Sequence, residues 1–393
     1  MEMDNKVVVD SIMEEEGILT FTLSGVNVSL ANAIRRIILS EIPTVVFRTT
    51  PYEKNKVNIE INTSRMNNEI IKQRFSCIPI YLKNDDDSVD GEEKKQKNLD
   101  INDYVIEVDV KNDTKQYKYV TTQDFKIKNR IIGRYLSSEE RDKIFPPDNI
   151  TNEYIQVVRL RPRMNMNMME EQLKLTATLD YGMSKDDGSF NVVSTCTYSY
   201  AQTDDKELLE QKWKEKEEQI KKNNINMSDE EFEKTKTFLR KDWELLDAKR
   251  IIKEDNFNYV VESVGPYSNK EIVYKACKIM IQKLNKMKED INNKYDEIVI
   301  HNTNNTINNC YDILLINEDY TLGKVIEYML YNYYFKSANK EVTYCGFSKP
   351  HPHIEKSIIR VGLRDNNIKL KNIIDNCVDM SIVIYKEIAS KFT

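Results

Sequence analysis

The sequence predicts an α+β protein in which a strand and helix module occurs twice, at the head and at the tail, with a β-rich stretch set into the first copy. Three observations point there. The 393 residues exceed one ordinary domain, so two or three folded units with cores of their own are expected. The order strand, helix, strand, strand, helix, read over the head and resumed at 257–289, returns over 311–388, so the tail repeats the head. The last helix, 370–388, spreads Leu370, Ile373, Ile374, Cys377, Val378, Ile382 and Ile388 over more than one stripe. One narrow core cannot cover so wide an apolar surface, so each half is expected to bury the excess of the other.

The elements follow in order. Val7, Val8 and Val9 form a strand signal, an acidic turn ends at Gly17, and Leu19, Phe21 and Leu23 alternate as a half-buried strand, which makes a hairpin. Ser29 is placed to cap a helix whose Leu30, Ala33, Ile34, Ile37 and Ile38 keep helical spacing, and Pro43 stops it. From Pro51 to about Tyr200 the pattern is strands: Val57, Ile59 and Ile61, then Tyr104–Val110, Tyr117–Val120, Tyr154–Leu160, Leu173–Leu179 and Val192–Tyr200. This reads as a mostly β domain inserted after the first helix. Asn84–Asn98 lacks apolar periodicity and reads as a flexible loop.

Residues 205–253 turn dense in Glu and Lys, with Phe232, Leu239 and Leu246 at heptad-like spacing, Trp213 and Trp243, and a capping box of Ser228 and Glu231; this is an αα-hairpin. A strand over 257–264, a turn at Gly265 and Pro266, and a helix over Glu271–Glu289 with Ile272, Ala276, Ile279 and Leu284 close the first half. The tail brings Tyr311–Ile316, Leu322–Tyr334, Thr343–Phe347, Ser357–Leu363 and Leu370–Ile388. The expected layout is a discontinuous first module (1–50 and 255–290), a β-rich insert (51–200), a helical insertion (205–253), a linker (291–310) and a second module (311–393).

Composition narrows the function. Lys and Arg number 58 against 64 Asp and Glu, a net charge of -6, which argues against a chain whose main work is neutralising phosphates and favours protein partners. Direct DNA binding through the insert is disfavoured on the same ground. Cys77, Cys196, Cys277, Cys310, Cys345 and Cys377 show no CxxC spacing, so neither a disulfide framework nor a zinc site is signalled, as suits a reducing compartment. No basic segment followed by a long apolar one opens the chain, and no run approaches the roughly 20 apolar residues of a membrane-spanning helix. A soluble intracellular protein without membrane contact is expected.

Catalytic signatures are missing. There is no phosphate-cradling GxxxxGK(S/T) loop, no nucleophile elbow and no Cys and His arrangement, so catalysis by this chain alone is unsupported and no cofactor is expected. Asp85, Asp86 and Asp87 superficially resemble a two-metal carboxylate cluster, but without apolar anchors they cannot be held in fixed geometry and read as a solvated loop. His351, Pro352 and His353 lack neighbouring ligands at metal spacing; Pro350 and Pro352 instead fix a rigid turn into the following strand.

Several segments carry a resemblance. LANAIRRIILSEIPTVV, Leu30–Val46, resembles the signature helix of the RNA polymerase alpha-type subunits, in the form of the archaeal D subunit and its eukaryotic third-subunit counterpart; bacterial alpha subunits usually have Gly where this chain has Ala31. The likeness continues in order at Asn62–Ile80, Val120–Ile127, Glu171–Phe190 and Phe257–Ala276. The tail resembles a different subunit, the archaeal L or eukaryotic eleventh-subunit type. EDYTLGKVI, Glu318–Ile326, is similar to that family's helix start, and Val342–Val361 to its PHP segment, with Tyr320 where the family commonly has His and Lys324 where Asn is usual. Residues 130–150 and 205–253 read as lineage-specific insertions. The zinc loop that follows the matching proline in the eukaryotic third-subunit family has no counterpart, since the segment after Pro79 contains no Cys.

The resemblance implies two alpha-subunit-type dimerisation modules forming an intramolecular pseudo-dimer, helices against helices with sheets outside. The implied pairing residues are Leu30, Ala31, Asn32, Ala33, Ile34, Arg35, Arg36 and Ile37 in the head, and Thr321, Leu322, Gly323, Val325, Ile326, Ile373, Ile374 and Cys377 in the tail. Arg35 and Arg36 stand about 100° apart on their helix, so one is free to anchor an acid within the pair while the other faces a large catalytic subunit; the resemblance favours Arg36 for the second role. Glu69 and Arg74 join the implied large-subunit contact, and Asn32 is assigned a structural role, capping or cross-linking backbone groups.

The implied function is a non-catalytic assembly platform of a multisubunit DNA-directed RNA polymerase. It would dock on the second-largest catalytic subunit beside a small zinc-bearing subunit and meet DNA only through the complex. Fusion of the two types in one chain is found in large cytoplasmic DNA viruses, which implies a viral factory in the host cytoplasm or a packaged virion, with the host nucleus as another site. The competing reading is a free-standing interaction scaffold that uses the same pairing fold outside transcription.

Overall fold

The structure, a computed structural model, describes residues 6–83, 101–163, 169–223, 229–301, 306–307 and 309–393. The flexible loop expected at Asn84–Asn98, with Asp85–Asp87, and the Ser228 of the expected capping box lie outside them.

Strands β1 (Val8–Glu15) and β2 (Ile18–Ser24) form the expected hairpin. Its two-residue turn has Glu16 at φ 50° and Gly17 at φ 81°, the doubly positive geometry that matches the twist of the flanking strands. Helix α1 (Val28–Ser40) starts earlier than the sequence implied: the cap is Asn27, whose Oδ1 accepts the Ser29 N–H at 3.0 Å, so Ser29 lies inside the first turn.

The stretch after α1 is more mixed than the all-strand expectation. It holds β3 (Thr44–Val46), β4 (Val57–Asn62), α2 (Asn68–Ser76), β5 (Tyr104–Lys111), β6 (Lys118–Thr121), β7 (Lys126–Asn129), α3 (Ser138–Ile144), β8 (Gln156–Leu160), β9 (Gln172–Thr178) and β10 (Asp180–Gly182). A four-stranded sheet in the order β4-β9-β5-β7 has two-stranded companions, β6 with β8 and β3 with β10. Alternation dictates its inner face: Ile106, Val108 and Val110 of β5 and Leu173, Leu175 and Ala177 of β9 are buried, while Glu107 and Asp109 face outward. Four phenylalanines, Phe47, Phe75, Phe125 and Phe145, meet within this core at ring separations of 5.2–6.4 Å. Each such ring, fully buried, contributes about 1.5–3 kcal/mol of transfer free energy.

Next come β11 (Val193–Gln202), α4 (Lys206–Asn223), α5 (Asp229–Leu245), β12 (Ile252–Ser263) and α6 (Asn269–Asn293). Strand β11, read from sequence as the end of the insert, instead hydrogen-bonds in a sheet of order β1-β2-β12-β11. Its alternation revealed a strand but not its partner. The α4 and α5 hairpin packs around Trp213 and Trp243, whose ring centroids lie 5.6 Å apart. Leu246 of the heptad reading is 60% exposed and lies one residue past α5, which ends at Leu245.

The expected linker also carries structure: α7 (Tyr295–Ile298) and β13 (Val299–His301) precede β14 (Cys310–Ile316), α8 (Tyr320–Leu330), β15 (Val342–Ser348), β16 (Lys356–Leu363) and α9 (Leu370–Ala389). The second sheet runs β13-β14-β16-β15. Head and tail thus share one topology, a hairpin, a helix, a second hairpin that pairs through its later strand, and a closing helix. In the head, the β-rich segment separates α1 from β11, and the helical hairpin separates β11 from β12.

Contacts divide the chain into two units. One comprises Met1–Arg35, Thr197–Val260 and Ile291–Ile388; the other comprises Arg36–Cys196, Val261–Asp290 and Ala389–Thr393. The first therefore contains the opening turns of α1 together with nearly all of the tail. No helix among the described residues is long and apolar enough to cross a membrane.

Candidate assembly interface

In the first unit, Leu30, Ala31, Ala33 and Ile34 of α1 are buried, and two tyrosine hydroxyls converge on consecutive carbonyls there. Tyr259 of β12 donates to the Ala31 carbonyl at 2.6 Å. Tyr385 of α9, which has no exposed surface, donates to the Leu30 carbonyl at 3.2 Å. The second bond joins residues 355 apart in sequence, a head helix and the tail's closing helix. Neither tyrosine was singled out from the sequence; the available signal was a polar hydroxyl on an otherwise apolar face, which needs a partner when buried.

Arg35 is half-buried, and its Nε donates to Asn32 Oδ1 at 2.9 Å. Asn32 thus orients a guanidinium rather than capping backbone, and Arg35 is held by its own helix rather than by an acid. Tyr198 of β11 has its hydroxyl pKa raised, chiefly by burial, with the Arg35 charge opposing the rise. Arg35 therefore lies within electrostatic reach of that strand.

The tail residues form a second cluster in the same unit. Asp319 caps α8, its Oδ1 accepting the Thr321 N–H at 2.8 Å, and Thr321, Leu322, Gly323, Val325 and Ile326 are all buried. Gly323 is required by space. A Cβ added there would stand 2.0 and 2.1 Å from ring atoms of Phe347 on β15, so the missing side chain is the seat of that ring. The two departures from the family pattern have local partners: the Tyr320 ring meets Phe347 edge-on at 5.1 Å, and Lys324 pairs with Glu327 at 2.5 Å. Ile373, Ile374 and Cys377 of α9 are buried, and burial pushes the Cys377 thiol well above the usual range. Asp312 and Arg360, opposite each other on β14 and β16, form a two-pronged pair at 2.6 and 2.7 Å.

In the second unit, Arg36 is half-buried, Ile37 is buried, and Glu41 at the end of α1 pairs with Lys283 of α6 at 2.7 Å, with side chains 10% and 15% exposed. Glu69 stands exposed in the first turn of α2. Arg74, also exposed, donates from Nη1 to the Val157 carbonyl of β8 at 2.9 Å, so part of its donor set serves the fold. Arg48, just after β3, ties down β10: its Nε lies 2.7 Å from Asp180 Oδ2 and its Nη2 donates to the Tyr181 carbonyl at 2.6 Å. Burial raises the Asp180 pKa, but the bonds from Arg48 and Lys56 outweigh it and leave the carboxyl below its ordinary value. Among the described residues no cluster of His, Cys, Asp and Glu could hold a metal ion. The arrangement joins buried apolar helix faces, two tyrosine hydroxyls on helix carbonyls and an arginine oriented by its own helix.

Similar proteins include the DNA-directed RNA polymerases II, IV and V subunit 3 of Arabidopsis thaliana, 28% identical over 196 residues, 46% of this chain and 52% of the relative. The DNA-directed RNA polymerases I and III subunit RPAC1 of Bos taurus is 24% identical over 313 residues, 72% of this chain and 84% of the relative. The DNA-directed RNA polymerase subunit Rpo3 of Pyrococcus furiosus is 25% identical over 283 residues, 70% and 93% respectively. The chain spans about half the length of the Arabidopsis subunit and of the DNA-directed RNA polymerases I and III subunit RPAC1 of Mus musculus, 52% and 53%. Residues 20–284 match a family model described as the RNA polymerase Rpb3/Rpb11 dimerisation domain, and residues 310–391 match a second model of the same description; the chain belongs to that family.

Proposed function

We propose that this chain is a non-catalytic assembly subunit of a multisubunit DNA-directed RNA polymerase, whose two modules pair within the chain and dock on the second-largest catalytic subunit. The observation that carries the reading is the shared strand order of the two sheets together with the Tyr385 bond to Leu30, a link from the tail module to the head's signature helix. Tethering two partners makes their encounter intramolecular, at effective concentrations on the order of millimolar for a short flexible linker. A pair joined in this way is constitutive. Large catalytic subunits supply template, magnesium and nucleotide sites, a small zinc-bearing subunit sits alongside, and DNA is met through the complex. A chain holding both modules fits the fused form of large DNA viruses, with transcription in a viral factory or packaged virion.

On this reading Arg35, Arg36, Glu69 and Arg74 contribute to the large-subunit contact. Arg36→Ala tests it: the isolated chain stays folded, while co-purification with the second-largest subunit falls. Recovery of the wild-type chain from its source without either large polymerase subunit would overturn the function and favour an interaction scaffold outside transcription. Normal assembly of Arg36→Ala would overturn only the face.

A further inference from the structure

Turn positions usually go to Gly, Asn, Asp, Pro or Ser, whose side chains suit the backbone and stay hydrated. The turn after β7 departs from this at its tip, where Ile131 is 75% and Ile132 66% exposed. The turn does not need them. Asn129 builds it: its Oδ1 accepts the N–H groups of Ile131 and Ile132, each at 3.0 Å, and its carbonyl accepts the Gly133 N–H at 2.9 Å. Gly133 supplies the positive φ of 71°. The base is fixed as well, with the Arg130 N–H on the Asp103 carbonyl at 2.7 Å, the Asn129 N–H on the Arg134 carbonyl at 2.9 Å and the Leu136 N–H on the Ile127 carbonyl at 2.8 Å. Two branched aliphatic side chains are therefore displayed on a frame already ordered, so a partner that covers them loses little to ordering it.

The charge around the tip is one-sided. Residues 126–134 read KIKNRIIGR, four cations without a carboxylate. Of the neighbouring acids, Glu140 pairs with Arg134 at 3.0 Å and accepts the Ser137 N–H at 2.8 Å, Glu107 accepts the Tyr135 hydroxyl at 2.8 Å, and Asp103 meets the turn through its backbone carbonyl. Arg130 and Lys126 form no ion pair with any described residue, and both are exposed. We propose that the Arg130–Arg134 turn is a docking knob that seats Ile131 and Ile132 in an apolar cleft rimmed by carboxylates on one of the large polymerase subunits, an inference that rests on the assembly reading above. A nucleic acid fits less well, because the cations surround an apolar point instead of lining a track and the chain carries a net charge of -6.

The test co-expresses the full chain with the large polymerase subunits and measures affinity at rising salt. Combined Ile131→Ser and Ile132→Ser is expected to weaken binding at least tenfold while leaving the thermal midpoint of the free chain unchanged. Arg130→Glu keeps the apolar tip and is expected to weaken binding at least threefold at low salt, with a deficit that shrinks as salt screens it. Wild-type affinity in either variant overturns the knob. Wild-type chain that fails to bind the large subunits at all overturns the assembly reading and the knob with it. Binding of the free chain to duplex DNA or phosphatidylserine vesicles that the isoleucine variant abolishes assigns the turn to a different surface and overturns it too.

Discussion

Replacing Gly323 by Ala sets a methyl group into space that the Phe347 ring occupies. The added carbon stands 2.0, 2.1 and 2.8 Å from three ring atoms, whereas ordinary contact begins at 3.4 Å, so the ring must retreat by more than an ångström. Three features oppose the retreat. The Phe347 N–H donates to Glu327 Oε1 at 3.1 Å, its strand is in register with β16 through Ile359, and the Tyr320 ring leans on it at 5.1 Å. Overpacking of this kind costs about 1–3 kcal/mol, and the better helix propensity of Ala returns up to ~1 kcal/mol. A net loss of about 1–2 kcal/mol, concentrated on α8 and β15, speeds amide hydrogen exchange there roughly 5- to 30-fold, at tenfold per 1.4 kcal/mol. Adding Phe347→Leu removes the clash, so the double variant exchanges more slowly than the two single effects combined. Unchanged exchange in Gly323→Ala, or strict additivity in the pair, refutes the claim that the glycine is there to seat the ring.

Two further outcomes follow from specific bonds. Tyr385→Phe keeps the buried ring and deletes its bond to the Leu30 carbonyl, so urea unfolding reports a loss of about 0.5–1.5 kcal/mol; no loss means that the bond carries nothing. Asp180 has its pKa held below the ordinary carboxyl value of 3.8 by Arg48 and Lys56, against the effect of burial. A carboxyl lowered on folding stabilises the protein above 3.8, and that contribution fades as pH falls through the lower folded value. The gap in thermal midpoint between wild type and Asp180→Asn therefore narrows in acid, and a gap constant from about pH 6 to pH 3 contradicts the ion pair's role.

What the sequence made legible was whatever local periodicity encodes. The β9 alternation of Leu173, Leu175 and Ala177 and the stripes of α8 and α9 survive as buried faces, because burial on one face imposes a period of 2 or 3.6. Choices among equivalents were not legible. Asn27 and Ser29 are both good caps two residues apart; the backbone decides, with Gly25 N–H on the Asp255 carbonyl at 2.9 Å fixing the entry to α1. Strand β11 shows a pattern, but its neighbour β12 lies beyond a whole helical hairpin. Strands β3, β10 and β13 span three residues each, too few to show a period. Within the candidate interface, the arginines were visible as a motif. Arg35's tie to Asn32 was also readable in principle, since residues three apart on a helix are neighbours. The Tyr385 and Arg74 bonds join residues 355 and 83 apart and leave no local trace.

The placement of the additions bears on how such a pair would be recognised. Two bare modules of equal strand order, paired about a pseudo-twofold, would offer a partner two similar faces and two similar docking poses. The head breaks that equivalence at one strand. The β-rich segment enters before β11 and the helical hairpin leaves after it, while the corresponding β15 joins β16 with neither. Long excursions from strand ends cost only slowly growing closure entropy, so the fold tolerates both without disturbing either sheet. Arg74, the Arg48 and Asp180 pair and the isoleucine turn then all belong to the segment between α1 and β11. Deleting 205–250 should therefore spare the head sheet while removing one of the two marks that tell the faces apart. Misoriented or slowed assembly, without loss of the folded chain, is the expected outcome.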